Sequence, residues 1–363
     1  MTKVAVTGLA VASPFGPSLE GFWHGLLHGP NPAKPWTPRA FPELSCLVAA
    51  LPERRSVADV AVDLVRRALA AAGLEGRRDF ALALGSHFAE TDFVGEPPPP
   101  RPMLAAVSAE LQLEGPAVNT PIGCAAGNLS LMWALDRVRL HDAPFAVAGG
   151  LDVIGAGAAA TFDMLGNLSE RAALPFDVRR DGIILGEGGA MLVLEPLEQA
   201  KARGAKVWCE LAGAGCAHDA EHQIRPALDG RGLAAALWRA LDEAGAAPGD
   251  VGYVNAHAPG TVVNDPCEAA AYRAVFGARS VPVGSTKAAL GHAQGGANGL
   301  EAAACVLALE RQVIPPTLGV TEVEPKLELD VVTAARPGRL EVVVSSASAM
   351  GGANAVVVFR RAR

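Results

Sequence analysis

The 363-residue chain has six cysteines (Cys46, Cys124, Cys209, Cys216, Cys267, Cys305) but no CxxC pair, which argues against both a disulfide framework and a cysteine-based zinc site. Reduced thiols are expected. There is no block of Lys and Arg, and the formal net charge is -7, so the chain lacks the concentrated basic surface that nucleic acid requires. No apolar run approaches the ~20 residues of a bilayer crossing. The opening "MTKVAVTGLAVASPFG" turns to Pro and Gly too early for a secretory signal. A cytoplasmic location without a membrane partner is therefore expected. Aromatic residues are scarce at 5%, whereas half of all residues are hydrophobic and mean hydropathy is +0.25. That suffices for a large core in one big domain or two fused halves.

Short β-rich runs alternate with Ala- and Leu-rich helical stretches: "KVAVTGLAVA", "FALALGS", "PFAVAGGLDVI" and "GAMLVLEP" are separated by helix-like segments. Such alternation predicts an α/β layer fold with a largely parallel sheet. After "LEQAKARGA" the pattern restarts, with "KVWCELAGAGCAH" resembling "KVAVTGLAVASP". This weak duplication divides the chain into residues 1–200 and 201–363, with the joint near 197–206. Gly95 to Pro102, "GEPPPPRP", reads as a stiff polyproline II spacer or lid edge. His218 and His222 stand four apart in "CAHDAEHQ", but the strand-like lead and Pro226 argue against a helical metal pair, and no metal site is expected.

Cys124 follows the β-like "VNTPIG" and precedes "AAGNLSLMWALDRV", in which Leu131, Leu135 and Val138 recur at helical spacing, with Met132 on the flank. This places Cys124 in the first turn of a helix, where free N–H groups and the helix dipole favour a thiolate and can hold an oxyanion. A buried, inert cysteine gives the same local pattern. His257 lies in the Pro/Gly loop of "YVNAHAPGTVVND", and His292 lies in a second Gly-rich loop, "STKAALGHAQGG", five residues after Lys287. A histidine at a strand end is often only a structural hydrogen-bonder. Three such loops in an open α/β sheet, however, converge at the carboxyl ends of the strands.

The segments "GCAAG", "LPFDVRRDGIILGEGGAMLVLEP", "VNAHAPGTVVNDPCE", "STKAALGHAQGG" and "SASAMGGANAVVVF" resemble, in order and spacing, the successive motifs of β-ketoacyl synthases. These are the condensing enzymes of fatty-acid and polyketide assembly. The presence of both histidines and Lys287 is similar to the decarboxylating Cys-His-His branch. The resemblance implies the thiolase fold: duplicated βαβαβαββ halves in a five-layer α-β-α-β-α arrangement. It implies that Cys124 takes an acyl group from the phosphopantetheine of an acyl carrier protein. His257 and His292 would then hydrogen-bond the enolate formed when malonyl-carrier loses carbon dioxide. The backbone N–H groups of Cys124 and Met350 would form the oxyanion hole, beside Gly351 in the gating loop. Lys287 would orient the His292 loop, and Asp265, Glu268 and Glu301 would brace the site. Thr261, His222 and Asn354 would support the carrier arm. No metal or cofactor is implied. The implied partners are the carrier protein and a second subunit, either a copy of this chain or a related ketosynthase or chain-length factor.

Four departures from the family pattern stand out. Pro259 and Ile224 replace threonines expected to bond the pantetheine arm, Met350 replaces a phenylalanine, and the span before Cys124 is short. Two alternatives to a condensing enzyme follow: a non-condensing subunit like a chain-length factor, which usually lacks the nucleophile, and an acyltransferase that keeps the acyl-cysteine but does not decarboxylate.

Overall fold

The computed structural model describes residues 2–53, 55–87 and 102–362. The polyproline reading thus falls outside the described residues, except for Pro102, which caps a helix. Five strands of the first half are β1 (Val4–Ala12), β2 (Ala81–Gly85), β3 (Ala117–Thr120), β4 (Ala146–Asp152) and β5 (Gly188–Pro196). The second half supplies β6 (Cys209–His218), β7 (Val251–Asn255), β8 (Pro282–Gly284), β9 (Asp330–Val331), β10 (Val342–Ser348) and β11 (Ala353–Arg360). They form one sheet in the order β9-β8-β7-β10-β11-β6-β1-β5-β4-β2-β3. Reading outward from the β1/β6 junction, and leaving out the short edge strand β9, each half has the order first, fifth, fourth, second, third. The junction itself is short, Ala5 opposite Glu210 and Val6 opposite Cys209.

Helices α1 (Val57–Ala72), α2 (Met103–Leu111) and α3 (Ala126–Arg139) connect the strands of the first half. Helices α4 (Arg231–Ala244), α5 (Asn264–Phe276), α6 (Lys287–Leu290) and α7 (Gly295–Arg311) belong to the second. Setting aside the short α6 and β9 and the added helices Leu19–His28, Ala156–Met164 and Leu197–Ala202, both halves read βαβαβαββ. Helices α1 and α2 cover one outer face and α4 and α5 the other, while α3 and α7 pack against each other between the two halves of the sheet. This is the five-layer thiolase-type arrangement. Among the described residues no helix is long and apolar enough to cross a membrane.

The sheet is not largely parallel. Half of its ten strand pairings are antiparallel: β1 with β5 and β6, β4 with β5, β10 with β11, and β11 with β6. The alternating pattern reports crossovers through helices, but it does not reveal that the last two strands of each half run antiparallel, joined in the first half by a long connection that holds the helix Ala156–Met164 and in the second by a hairpin. The joining hairpin in the second half is tight, with Gly351 and Gly352 at φ +90° and +88°.

The composition explains the middle layer. In α3, Leu131, Leu135 and Val138 are fully buried, as their spacing predicts, and Met132 packs at the edge of the core. In α7 every residue from Gly295 to Leu309 is buried, so the helix is small and, apart from Asn298 and Glu301, apolar on all sides rather than on one stripe. Glycines let the two helices start close together: a Cβ on Gly150 of β4 would lie 2.1 Å from the Gly295 carbonyl oxygen and 3.1 Å from the Gly127 Cα. That crossing brings the loop before α3 next to the loop before α7.

Candidate active site

Strand β3 ends at Thr120, and the chain turns through Gly123, at φ +51°, into a 3₁₀ turn spanning Gly123–Ala125. Cys124 lies in that turn, ahead of α3 rather than in its first turn as expected from the sequence. His257 comes two residues after the end of β7, and His292 two residues after the end of α6. Cys124, His257 and His292 are 4%, 4% and 3% exposed and line one cleft of about 180 Å3. The two imidazoles meet edge to face with ring centroids 5.1 Å apart, and each leaves its buried Nδ1 without a partner.

Burial pushes both histidines well below their ordinary range, and the charge of Lys287 lowers them further. Both rings are therefore neutral donors at pH 7. Burial acts on the thiol in the opposite direction: Cys124 is pushed up to about 12, with Lys287 opposing and the carboxylates of Asp152 and Glu301 adding to the rise. The resting sulfur is a thiol, contrary to the thiolate expected at a helix start, because desolvation outweighs the local N–H dipoles.

Lys287 is 1% exposed; its Nζ donates to the His257 carbonyl at 2.6 Å and forms an ion pair with Glu301. It thus grips the His257 loop by its side chain, whereas the sequence reading assigned it to the His292 loop. Asn298 Nδ2 donates to the second oxygen of Glu301 at 3.1 Å. Two more buried carboxylates hold the same loop. Asp265 accepts from the backbone N–H groups of Phe176 and Gly260, at 2.9 and 3.2 Å. Glu268 accepts from Ala258 N at 2.6 Å and from the Tyr272 hydroxyl at 2.7 Å. Burial raises Asp265 to about 6 and Glu268 to about 7.

Met350 lines the cleft and packs toward Phe162, Ile183 and Leu185, while Gly351 supplies the turn beyond it. Asn354 sits behind this loop: its Nδ2 donates to Asp219 at 2.8 Å, and its Oδ1 accepts from Ser348 at 2.7 Å. Thr261 lines the cleft, and its hydroxyl accepts from Asn264 N. His222 is exposed and does not line the cleft; its Nδ1 accepts from Ile224 N and Arg225 N, shaping the turn that presents Ile224 and Arg225 to the cleft. His218 likewise caps its own turn, accepting from Ala220 N. Three of the departures, Pro259, Ile224 and Met350, line this single cleft. Pro259 and Ile224 leave apolar surface in it where hydroxyls were expected.

Sequence reasoning missed a group behind the sulfur. The Cys124 thiol donates to Gln294 Oε1 at 3.4 Å, and Gln294 Nε2 donates to the His292 carbonyl at 3.2 Å. His87 shares a side-chain hydrogen bond with Gln294. Asp152 at the end of β4 accepts from the Ser86 hydroxyl, His87 N and Gly295 N at 2.6, 2.9 and 2.8 Å. The one signal in the sequence was a polar residue in the middle of "GHAQGG".

A buried cysteine facing two neutral imidazoles, on a duplicated five-layer fold, finds its match among known proteins. Residues 90–200 match the family "Beta-ketoacyl synthase, N-terminal domain" and residues 208–321 match "Beta-ketoacyl synthase, C-terminal domain". Nodulation protein E of Rhizobium leguminosarum bv. trifolii is 41% identical over 258 residues, covering 70% of this chain but only 64% of that protein's length. Among solved structures, the ishigamide ketosynthase/chain length factor covers 100% of both chains at TM-score 0.92 and 31% identity. A type II PKS acyl-carrier protein in complex with its ketosynthase, bound to the hexaketide, superposes over 99% of this chain and 100% of that one at TM-score 0.89 and 26% identity. Matching profiles for both halves of the motif set, together with full-length agreement of the fold, place the chain in the β-ketoacyl synthase family.

Proposed function

We propose that the protein is a β-ketoacyl-carrier-protein synthase, joining an acyl thioester to malonyl-carrier by decarboxylative condensation in a type II polyketide or fatty-acid-like pathway. The observation that carries this reading is the meeting of Cys124 with two buried neutral imidazoles in one cleft. In the first step Cys124 Sγ attacks the acyl-pantetheine carbonyl, the new thioester forms, and the thiol proton leaves on the departing pantetheine sulfur. In the second, malonyl-carrier breaks its bond to the carboxylate and releases carbon dioxide. The electron pair moves onto the thioester oxygen, which His257 and His292 stabilise as N–H donors. The enolate carbon then attacks the Cys124 thioester, and the freed sulfur takes a proton from water.

Neutral imidazoles suit that role because their donors meet charge only as it develops. Lys287, Glu301, Asp265 and Glu268 hold the His257 loop rather than move protons. The backbone N–H groups of Cys124 and Met350 serve the tetrahedral oxygen. No cofactor or metal enters this scheme, since both substrates arrive on phosphopantetheine. The carrier complex and the ketosynthase/chain length factor named among the structural neighbours support a carrier-protein partner and a dimer with itself or a related subunit. Six free cysteines fit a cytoplasmic setting.

The test is intact-protein mass spectrometry after mixing the chain with acyl-carrier thioesters, beside Cys124→Ala, followed by malonyl-carrier. An adduct absent from the alanine variant and a product two carbons longer are expected. An adduct that malonyl-carrier never extends would favour acyl transfer. No adduct, even with a related subunit supplied, would favour a non-condensing scaffold.

A further inference from the structure

Gln294 combines two observations that the proposed chemistry does not use. Its backbone sits at φ +52°, ψ -121°, a conformation that side-chain-bearing residues rarely adopt, and its side chain is fully buried against the sulfur. Such strain persists only where the surroundings impose it. Here they do: Gly295 N is tied to Asp152, and Gly296 N donates to the Ala293 carbonyl, so the chain before α7 has no freedom to relax. Because Gln294 Nε2 meets the His292 carbonyl, its amide can present only the oxygen to Cys124. Neither Gln294 nor His87 lines the cleft, so the S–H bond is directed at a group outside the cleft lining.

Resting on the reading of Cys124 as nucleophile, we propose that Gln294, steadied by His87, is a positioning residue that holds the Cys124 thiol in its attacking orientation. Burial lowers His87 and keeps it neutral, so the charge behind the sulfur is the Asp152 carboxylate's, which accepts from His87 N and Gly295 N and adds to the rise of Cys124. One amide therefore links the nucleophile to the backbone of the loop that carries His292. The strained backbone is what brings the amide oxygen within reach.

The experiment measures iodoacetamide alkylation of Cys124 against pH by peptide mass spectrometry, with acylation from an acyl-pantetheine thioester beside it. Gln294→Met removes the acceptor of the neutral thiol, so alkylation at about pH 8 rises about threefold. Acylation, which needs the fixed orientation, falls by about tenfold or more. Gln294→Glu places a negative charge at the same spot, slows alkylation and moves its pH profile upward. A loop that merely loosened would speed alkylation in both variants. If both variants shift alkylation in the same direction, or if Gln294→Met acylates within about twofold of the parent, the proposal is wrong. Gln294→Gly, which suits this backbone, guards against misfolding: it must lose acylation without melting below Gln294→Ala. Acylation persisting in Cys124→Ala would overturn the nucleophile reading instead, while the alkylation profiles still report on Gln294.

Discussion

Replacing Lys287 by methionine should destabilise the protein through Glu301 more than through the lysine's own lost contacts. The two side chains are 2% and 1% exposed, and Lys287 is the cation paired with Glu301. After the substitution, Asn298 Nδ2 still donates to Glu301, but the carboxylate charge has no counter-charge, and the His257 carbonyl loses its 2.6 Å donor. Breaking a buried pair by removing one partner costs about 3–5 kcal/mol. At roughly 2 °C per kcal/mol for a chain of this size, the melting temperature should fall by about 6–10 °C. The decisive comparison is a double-mutant cycle with Glu301→Gln, which keeps the Asn298 contact but removes the charge. Lys287→Met/Glu301→Gln should regain about 2 kcal/mol or more over Lys287→Met alone. Its histidines should also titrate higher than in the parent, because the lysine charge that depresses them is gone. Scanning calorimetry and denaturant titration read the stability; NMR of the imidazole protons reads the titration. If Lys287→Met loses less than about 1 kcal/mol, or if the two changes are simply additive, the account of an uncompensated buried charge is refuted.

Glu268 and Asp265 bind protons more tightly in the fold than in the unfolded chain, so their contribution is full below about pH 4 and is lost as pH rises. The loss runs through about 6 for Asp265 and about 7 for Glu268. Glu268→Gln should flatten the fall in melting temperature between these limits; an unchanged slope in differential scanning fluorimetry would contradict it. At Gln294, glycine should be about 1 kcal/mol more stable than alanine, because only alanine keeps the φ +52° strain; equal denaturation midpoints would remove that argument. Gly150→Ala should cost about 2 kcal/mol or more, since the new methyl meets a backbone carbonyl that cannot step aside. Acylation should fall with it, and parent-like acylation and melting would contradict the tight crossing.

Much of the site was legible because Cys124 and His257 follow strands directly and His292 follows one after the short helix α6, and an alternating α/β pattern collects such ends on one edge. Leu131, Leu135 and Val138 announced the buried face of α3 by spacing alone. Strand direction was not legible: β5 is buried throughout and β11 in all but its two end residues, and such mostly apolar runs carry the same signal whether they run parallel or antiparallel. The protonation of Cys124 was hidden because its burial comes partly from Ala347, Ala349 and Ala355, far along the chain. Gln294 escaped because its role lies in a backbone angle, which no residue type announces. His222 misled in the other direction, since a histidine in a loop beside the cleft reads as a site residue, yet its ring is spent on two backbone N–H groups.

The glycine crossing between β4, α3 and α7 bears on how such a chain can be recombined. Gly127 and Gly150 come from the first half and Gly295 from the second, yet no side chain fits where they touch. The halves, alike in topology, are therefore not interchangeable parts. A chimaera taking its second half from a relative would seat Cys124 against His292 only if the incoming α7 also begins without a side chain.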